Sequence, residues 1–137
     1  MPGYSGTPLP KKLGIKDGFR VRLANAPAEV RAELREPLAE CDVVEQGDKL
    51  DFVMMFTKSR VELAKEFSRM AKALAPAGML WVSWPRKSSG VAADLDENVV
   101  REIGLAAGLV DVKVCAVTEV WSGLKFVRRV KDRQGRE

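Results

Sequence analysis

Two short stretches of this sequence carry the side chains best suited to chemistry. They are Thr57-Lys58-Ser59-Arg60 and Trp84-Pro85-Arg86-Lys87-Ser88-Ser89. Each follows an apolar run, and each sets cations beside hydroxyls. Arginine offers a two-pronged fork to phosphate or carboxylate, and lysine adds a compact charge. The hydroxyls of Thr57, Ser59, Ser88 and Ser89 both donate and accept. Trp84 adds an aromatic face for stacking. Asn25 closes a third apolar run. Together they suit an anionic ligand, such as a nucleotide, a phosphorylated metabolite or a nucleic-acid backbone. Plainer readings compete. Ser59 serves as a helix cap, Arg86 and Lys87 as solvated loop cations, and Trp84 as core, like Trp81.

Other chemistries are excluded by composition. The chain has no histidine, so no Ser-His-Asp or Cys-His relay can be built. Zinc sites need histidine or clustered cysteine, and Cys41 and Cys115 stand far apart. They read as reduced thiols, and no metal site is expected. Asp94, Asp96 and Glu97 sit where a helix begins, so capping explains them better than an acid–base pair. No catalytic residue and no cofactor can be named. Acid–base work, if any, would fall to Asp, Glu, Lys or Tyr.

The net charge is +4 and the excess lies at the end of the chain. Arg128, Arg129, Lys131 and Arg133 form a basic tail suited to a nucleic-acid backbone. No aromatic residue follows Phe126 to stack on a base, so a solvated tail is the simpler reading. No apolar run is long enough to span a bilayer, and no signal-peptide core opens the chain. The expected location is the cytoplasm, without membrane association.

These side chains must be held in place by the elements that the pattern supplies. Residues 1–18, rich in Gly, Pro, Ser and Lys, form an extended arm with one helical turn near 8–14. Tyr4, Ser5, Lys11 and Lys12 make it either a lid or an anchor. A single domain over 19–130 follows, then a basic tail at 131–137. Residues 19–24 alternate as a strand. Pro27 then opens a helix, which Pro37 stops. Residues 42–46 form a short strand, and 51–57 (DFVMMFT) a fully buried one. Ser59 and Glu62 make a capping box for a helix over 60–74, with Leu63, Phe67, Met70 and Leu74 on one stripe. Ala75-Pro76-Ala77-Gly78 ends it. Residues 79–84 are a second buried strand, closed by Pro85. A helix over 96–107 ends at Gly108. Residues 110–121 alternate, with Val110, Val112, Val114 and Ala116 inward. Ser122-Gly123 turns the chain back into 124–130.

Strand–helix alternation with a closing hairpin gives an α/β fold. The expected architecture is a three-layer, Rossmann-like mixed sheet of about five or six strands with a C-terminal antiparallel hairpin. One junction constrains it. Crossing back over a parallel strand of five residues covers roughly 17 Å. The few residues between 46 and 51 reach at most about 14 Å. Residues 42–46 are therefore either a stub or antiparallel, and a stub is the expectation.

Two resemblances bear on this layout. Asp51-Phe52-Val53, Ala75-Pro76-Ala77-Gly78 and the 110–130 hairpin resemble the second half of class I S-adenosylmethionine-dependent methyltransferases. In that family a glycine-rich turn follows the first strand, and here Leu23-Ala24-Asn25-Ala26-Pro27 has no glycine. A closer resemblance covers nearly the whole chain. GYSGTPLPKKLGIKDG, LWVSWPRKSSGVAADL, VVREIGLAAGLVDVKVCAV and WSGLKFVRR are similar to a family of small bacterial proteins known as a domain of unknown function. That resemblance implies one cytoplasmic Rossmann-like domain and transfers no activity.

Open α/β sheets bind ligands beyond the carboxyl ends of their strands. The loops after residues 25, 57 and 84 are expected to meet there. The first functional reading is a non-catalytic binding or regulatory module with an anionic ligand. The alternatives are a methyltransferase-like transferase and a nucleic-acid binder using the basic tail.

Overall fold

A computed structural model describes residues 7–133. Tyr4, Ser5 and the last residues of the tail lie outside the described residues. The element order is α1 (Leu9–Leu13), β1 (Arg20–Ala24), α2 (Ala28–Glu33), α3 (Arg35–Leu38), β2 (Asp42–Val43) and β3 (Leu50–Phe56). Then follow α4 (Arg60–Lys72), β4 (Leu74–Pro85), α5 (Glu97–Ala106), β5 (Leu109–Ala116) and β6 (Trp121–Arg128). Short 3-10 turns lie at Lys87–Ser89 and Val130–Asp132.

The six strands form one sheet in the order β2-β1-β3-β4-β6-β5. β2, β1, β3 and β4 run parallel, and β6 and β5 are antiparallel. β3 is buried on both faces because helices cover both. Val53 and Met55 join Leu63, Phe67 and Met70 of α4 and Val100 of α5. Phe52, Met54 and Phe56 join Leu9 and Leu13 of α1, Val30 of α2 and Leu34 just after it. This is the expected three-layer mixed sheet. No helix among the described residues is long and apolar enough to cross a membrane.

The stub is real. β2 has two residues, pairs parallel to β1, and is separated from β3 by β1. The connection from β2 to β3 therefore never has to return beside its own strand.

Four local expectations need correction. Pro37 does not stop the first helix. That helix breaks at Leu34, and Pro37 lies in the first turn of α3, where its missing N–H costs nothing. The stretch from Leu74 to Gly78 is not a turn but the start of β4, with a register shift against β3. Ser122-Gly123 is not the hairpin turn. Residues 117–120 turn, because Thr118 Oγ1 accepts the N–H groups of Val120 and Trp121 at 3.0 and 3.1 Å. Gly123 sits inside β6 against Trp81, and an added Cβ would lie 2.9 Å from Val117. The alternation of β5 is broken by an irregularity between Asp111 and Lys113, which leaves Val112 and Val114 exposed on an edge strand. The expected acidic cap of α5 is present: Asp96 accepts Val99 N–H at 2.9 Å, and Asp94 is used elsewhere.

The described part of the arm is an anchor. Leu9 and Leu13 are buried in the core. The Trp81 indole N–H donates to Leu13 O at 2.9 Å, and Lys12 Nζ donates to Ala116 O at 3.2 Å.

Candidate functional site

The chain leaves β1 toward β2 on one side, while β3 lies on the other. The carboxyl ends of β1 and β3 thus flank the point where strand order reverses, the usual place for a ligand crevice. Asn25 follows β1 and Thr57 follows β3. Asn25 takes a left-handed conformation with φ 61°, which asparagine tolerates better than most side chains. Its Nδ2 donates to Phe56 O at 3.4 Å, joining the first two loops.

Thr57 is buried at 3% exposure. Its hydroxyl donates to the Glu62 carboxylate and accepts Ser59 N–H at 3.1 Å. Ser59 Oγ in turn accepts Glu62 N–H at 3.1 Å. The capping box is therefore built through Thr57, which stands between the Glu62 carboxylate and the Ser59 N–H. A spacing of Ser59 to Glu62 revealed the cap but not this third member.

The second and third loops are stitched together by Asp94. Its carboxylate accepts Arg60 N–H at 2.7 Å, and its own N–H donates to Lys58 O at 3.2 Å. Just beyond the end of β4 at Pro85, Arg86 N–H donates to Val120 O at 2.8 Å. Ser89 Oγ donates to Arg86 O at 2.6 Å and accepts Val91 N–H at 3.1 Å, which fixes the loop. Lys58, Arg60, Lys87 and Ser88 are exposed and Arg86 is half-buried. None of the four cations forms an ion pair with the described residues.

One feature expected to serve a ligand has other work. Trp84 is 5% exposed and packs with the α4–α5 core, so it offers no stacking face. The first turn of α4 already holds the Asp94 carboxylate. Asp94 was read as a cap of the helix it precedes; it caps α4 instead, whose Arg60 lies 34 residues away, and no local pattern reports such a contact. No group of three or more Cys, Asp or Glu among the described residues is arranged to hold a metal ion.

The tail is less open than its composition suggests. Arg128 belongs to β6, and its Nη2 donates to Ala71 O at 3.0 Å and Leu74 O at 2.8 Å. Arg133 Nε donates to Arg128 O at 3.0 Å. Arg129 and Lys131 are the exposed cations of that segment.

Residues 11–130 match the family described as protein of unknown function DUF3052. The chain belongs to that family. No curated protein matches it. Solved structures similar to this DUF3052 chain include methyltransferases. One is a SAM-dependent methyltransferase from Aquifex aeolicus, with 15% identity and TM-score 0.59, covering 85% of each chain. Another is magnesium protoporphyrin IX methyltransferase from Synechocystis with bound SAH, with 14% identity and TM-score 0.56, covering 88% of this chain and 78% of that one. A third is a TehB-like SAM-dependent methyltransferase from Corynebacterium glutamicum, with 8% identity and TM-score 0.54, covering 93% and 90%. At these identities the likeness is one of fold.

Proposed function

We propose that this DUF3052 domain is a non-catalytic binding module that takes an anionic, phosphate-bearing ligand at the carboxyl edge of its parallel strands. One observation carries this reading. Lys58, Arg60, Arg86 and Lys87 stand on two loops that Asp94 ties together, and none of them is ion-paired among the described residues. Unpaired cations on loops at this edge suit a phosphate or carboxylate. The carboxylates nearby are engaged: Glu62 with Thr57, Asp94 with Arg60 N–H, and Asp96 with Val99 N–H. That engagement supports binding over proton transfer.

A second reading, a methyltransferase-like transferase, is favoured by the fold likeness to enzymes solved with SAM or SAH. Its ligand would enter between Asn25 and Thr57. The turn there is closed by the Asn25 side chain on Phe56 O and carries no glycine.

Thermal unfolding with a panel of nucleotides, inorganic phosphate and S-adenosylmethionine separates the two. A ligand at a hundredfold its Kd stabilises the folded state by about 2.7 kcal/mol. Nucleotides or phosphate are expected to raise the midpoint, and the shift should vanish in Lys58→Ala with Arg86→Ala. A shift with S-adenosylmethionine alone would overturn the binding-module reading in favour of the second.

A further inference from the structure

A different cationic group lies on the face of the sheet rather than on its edge. Across the strands one row of directly paired residues reads Leu23, Met54, Trp81, Lys125, Lys113. Its first three members belong to the apolar core on the α1–α2 side. The row then changes character and ends in two lysines set opposite each other. Directly opposed like charges on neighbouring strands are destabilising.

Protection of a sheet edge accounts for only one of them. Lysine on an edge strand discourages pairing with another chain, and Lys113 lies on β5, which is the edge. Lys125 lies on β6, between β4 and β5, where no edge needs guarding. Lys16, in the segment after α1, adds a positive charge that acts on Lys125. Burial holds the Lys125 ammonium below the usual lysine range, and Lys113 and Lys16 push the same way. Lys113 is held in place by donating to Lys12 O at 2.9 Å. None of Lys16, Lys113 and Lys125 forms an ion pair with the described residues.

We propose that Lys113 and Lys125 form a second anion site, on the α1–α2 side of β5 and β6, that takes a pyrophosphate or longer phosphate chain. Two ammonium groups opposed on neighbouring strands match a ligand with several charges on linked phosphates better than a single monoanion. Lysine contacts such oxygens as a point charge. Trp81, the nearest aromatic in the row, is fully buried, so recognition is of the phosphate chain and not of a base. The site stands apart from the rim of Lys58 and Arg86 and does not rest on it.

Site-resolved amide NMR of the full chain tests this, with sodium pyrophosphate and adenosine triphosphate as separate probes. The amide signals of Lys113, Gly123 and Lys125 are expected to move saturably with both. Lys125→Met should weaken pyrophosphate binding by about tenfold or more, the equivalent of about 1.4 kcal/mol. Without ligand the same variant should unfold at a higher denaturant concentration, because it relieves the opposed pair and extends the apolar row. A variant less stable than the parent would assign Lys125 a structural role and overturn the proposal. So would unmoved β5–β6 signals, equal pyrophosphate affinity in parent and variant, or movement with a DNA duplex only. Movement confined to residues 58–60 and 86–90 overturns this site while sparing the rim. Movement confined to β5–β6 does the reverse.

Discussion

The carboxylate of Asp94 caps the first turn of α4 by accepting Arg60 N–H at 2.7 Å, from 34 residues further along the chain. One contact thus sets the loop after β4 against the helix after β3. The orphan N–H groups of a helix start are satisfied by side-chain acceptors, and such caps are worth about 1 kcal/mol. Asp94→Ala is expected to lower stability by about that amount, read as a shift in the urea midpoint at constant slope. It should also loosen the loop, which faster hydrogen exchange at residues 86–95 would report. An unchanged midpoint would show the contact to be incidental.

A second prediction concerns how closely α5 lies on the sheet. A Cβ added to Gly104 would stand 2.1 Å from the Phe126 ring, which itself meets Phe67 edge-on at a centroid distance of 5.2 Å. Either the helix must lift or the ring must leave its rotamer. Overpacking of this kind costs roughly 1–3 kcal/mol. Gly104→Ala is therefore expected to destabilise the domain, although alanine is the better helix former. A gain in midpoint on chemical unfolding would contradict the packing described here.

The third prediction is a pH dependence. Arg101 Nε donates to Asp111 at 2.9 Å and the same guanidinium pairs with Glu97. The hydrogen bond from Arg101 holds the Asp111 carboxyl below the usual carboxylate range. A carboxylate depressed in the folded state adds stability above its unfolded pKa, and that share is lost as pH falls through the folded value. Parent protein should therefore lose stability on acidification more steeply than Asp111→Asn. Unfolding midpoints measured from neutral pH into the acid range check this, and parallel curves would refute it. The pair is partly solvent-exposed, so its share is small.

The elements that were legible in the sequence are those whose signals are local. The apolar run before Thr57, the Ser59–Glu62 spacing and the stripe from Leu63 to Met70 place β3 and α4 almost to the residue. The elements that were not legible depend on distant partners. Gly123 looks like a turn residue, and its small size instead serves the contact with Trp81 and Val117. Pro37 looks like a stop, and the helix had already broken at Leu34. Trp84 borders a cationic loop in sequence, yet its ring belongs to the core beneath α4 and α5. The opposed Lys113 and Lys125 are invisible without the register of β5 on β6. Of the candidate site, residue types and the shared edge were readable. Asp94, which holds two of its loops together, was not.

The binding-module proposal requires the unpaired cations at the carboxyl edge to hold a phosphate-bearing anion. A crystal of the protein grown with a nucleotide would decide it. Phosphate density is expected within hydrogen-bonding reach of Lys58 and Arg86, with Asp94 still on Arg60 N–H. A rim without bound anion at saturating nucleotide, or a ligand seated only between Asn25 and Thr57, would overturn the proposal.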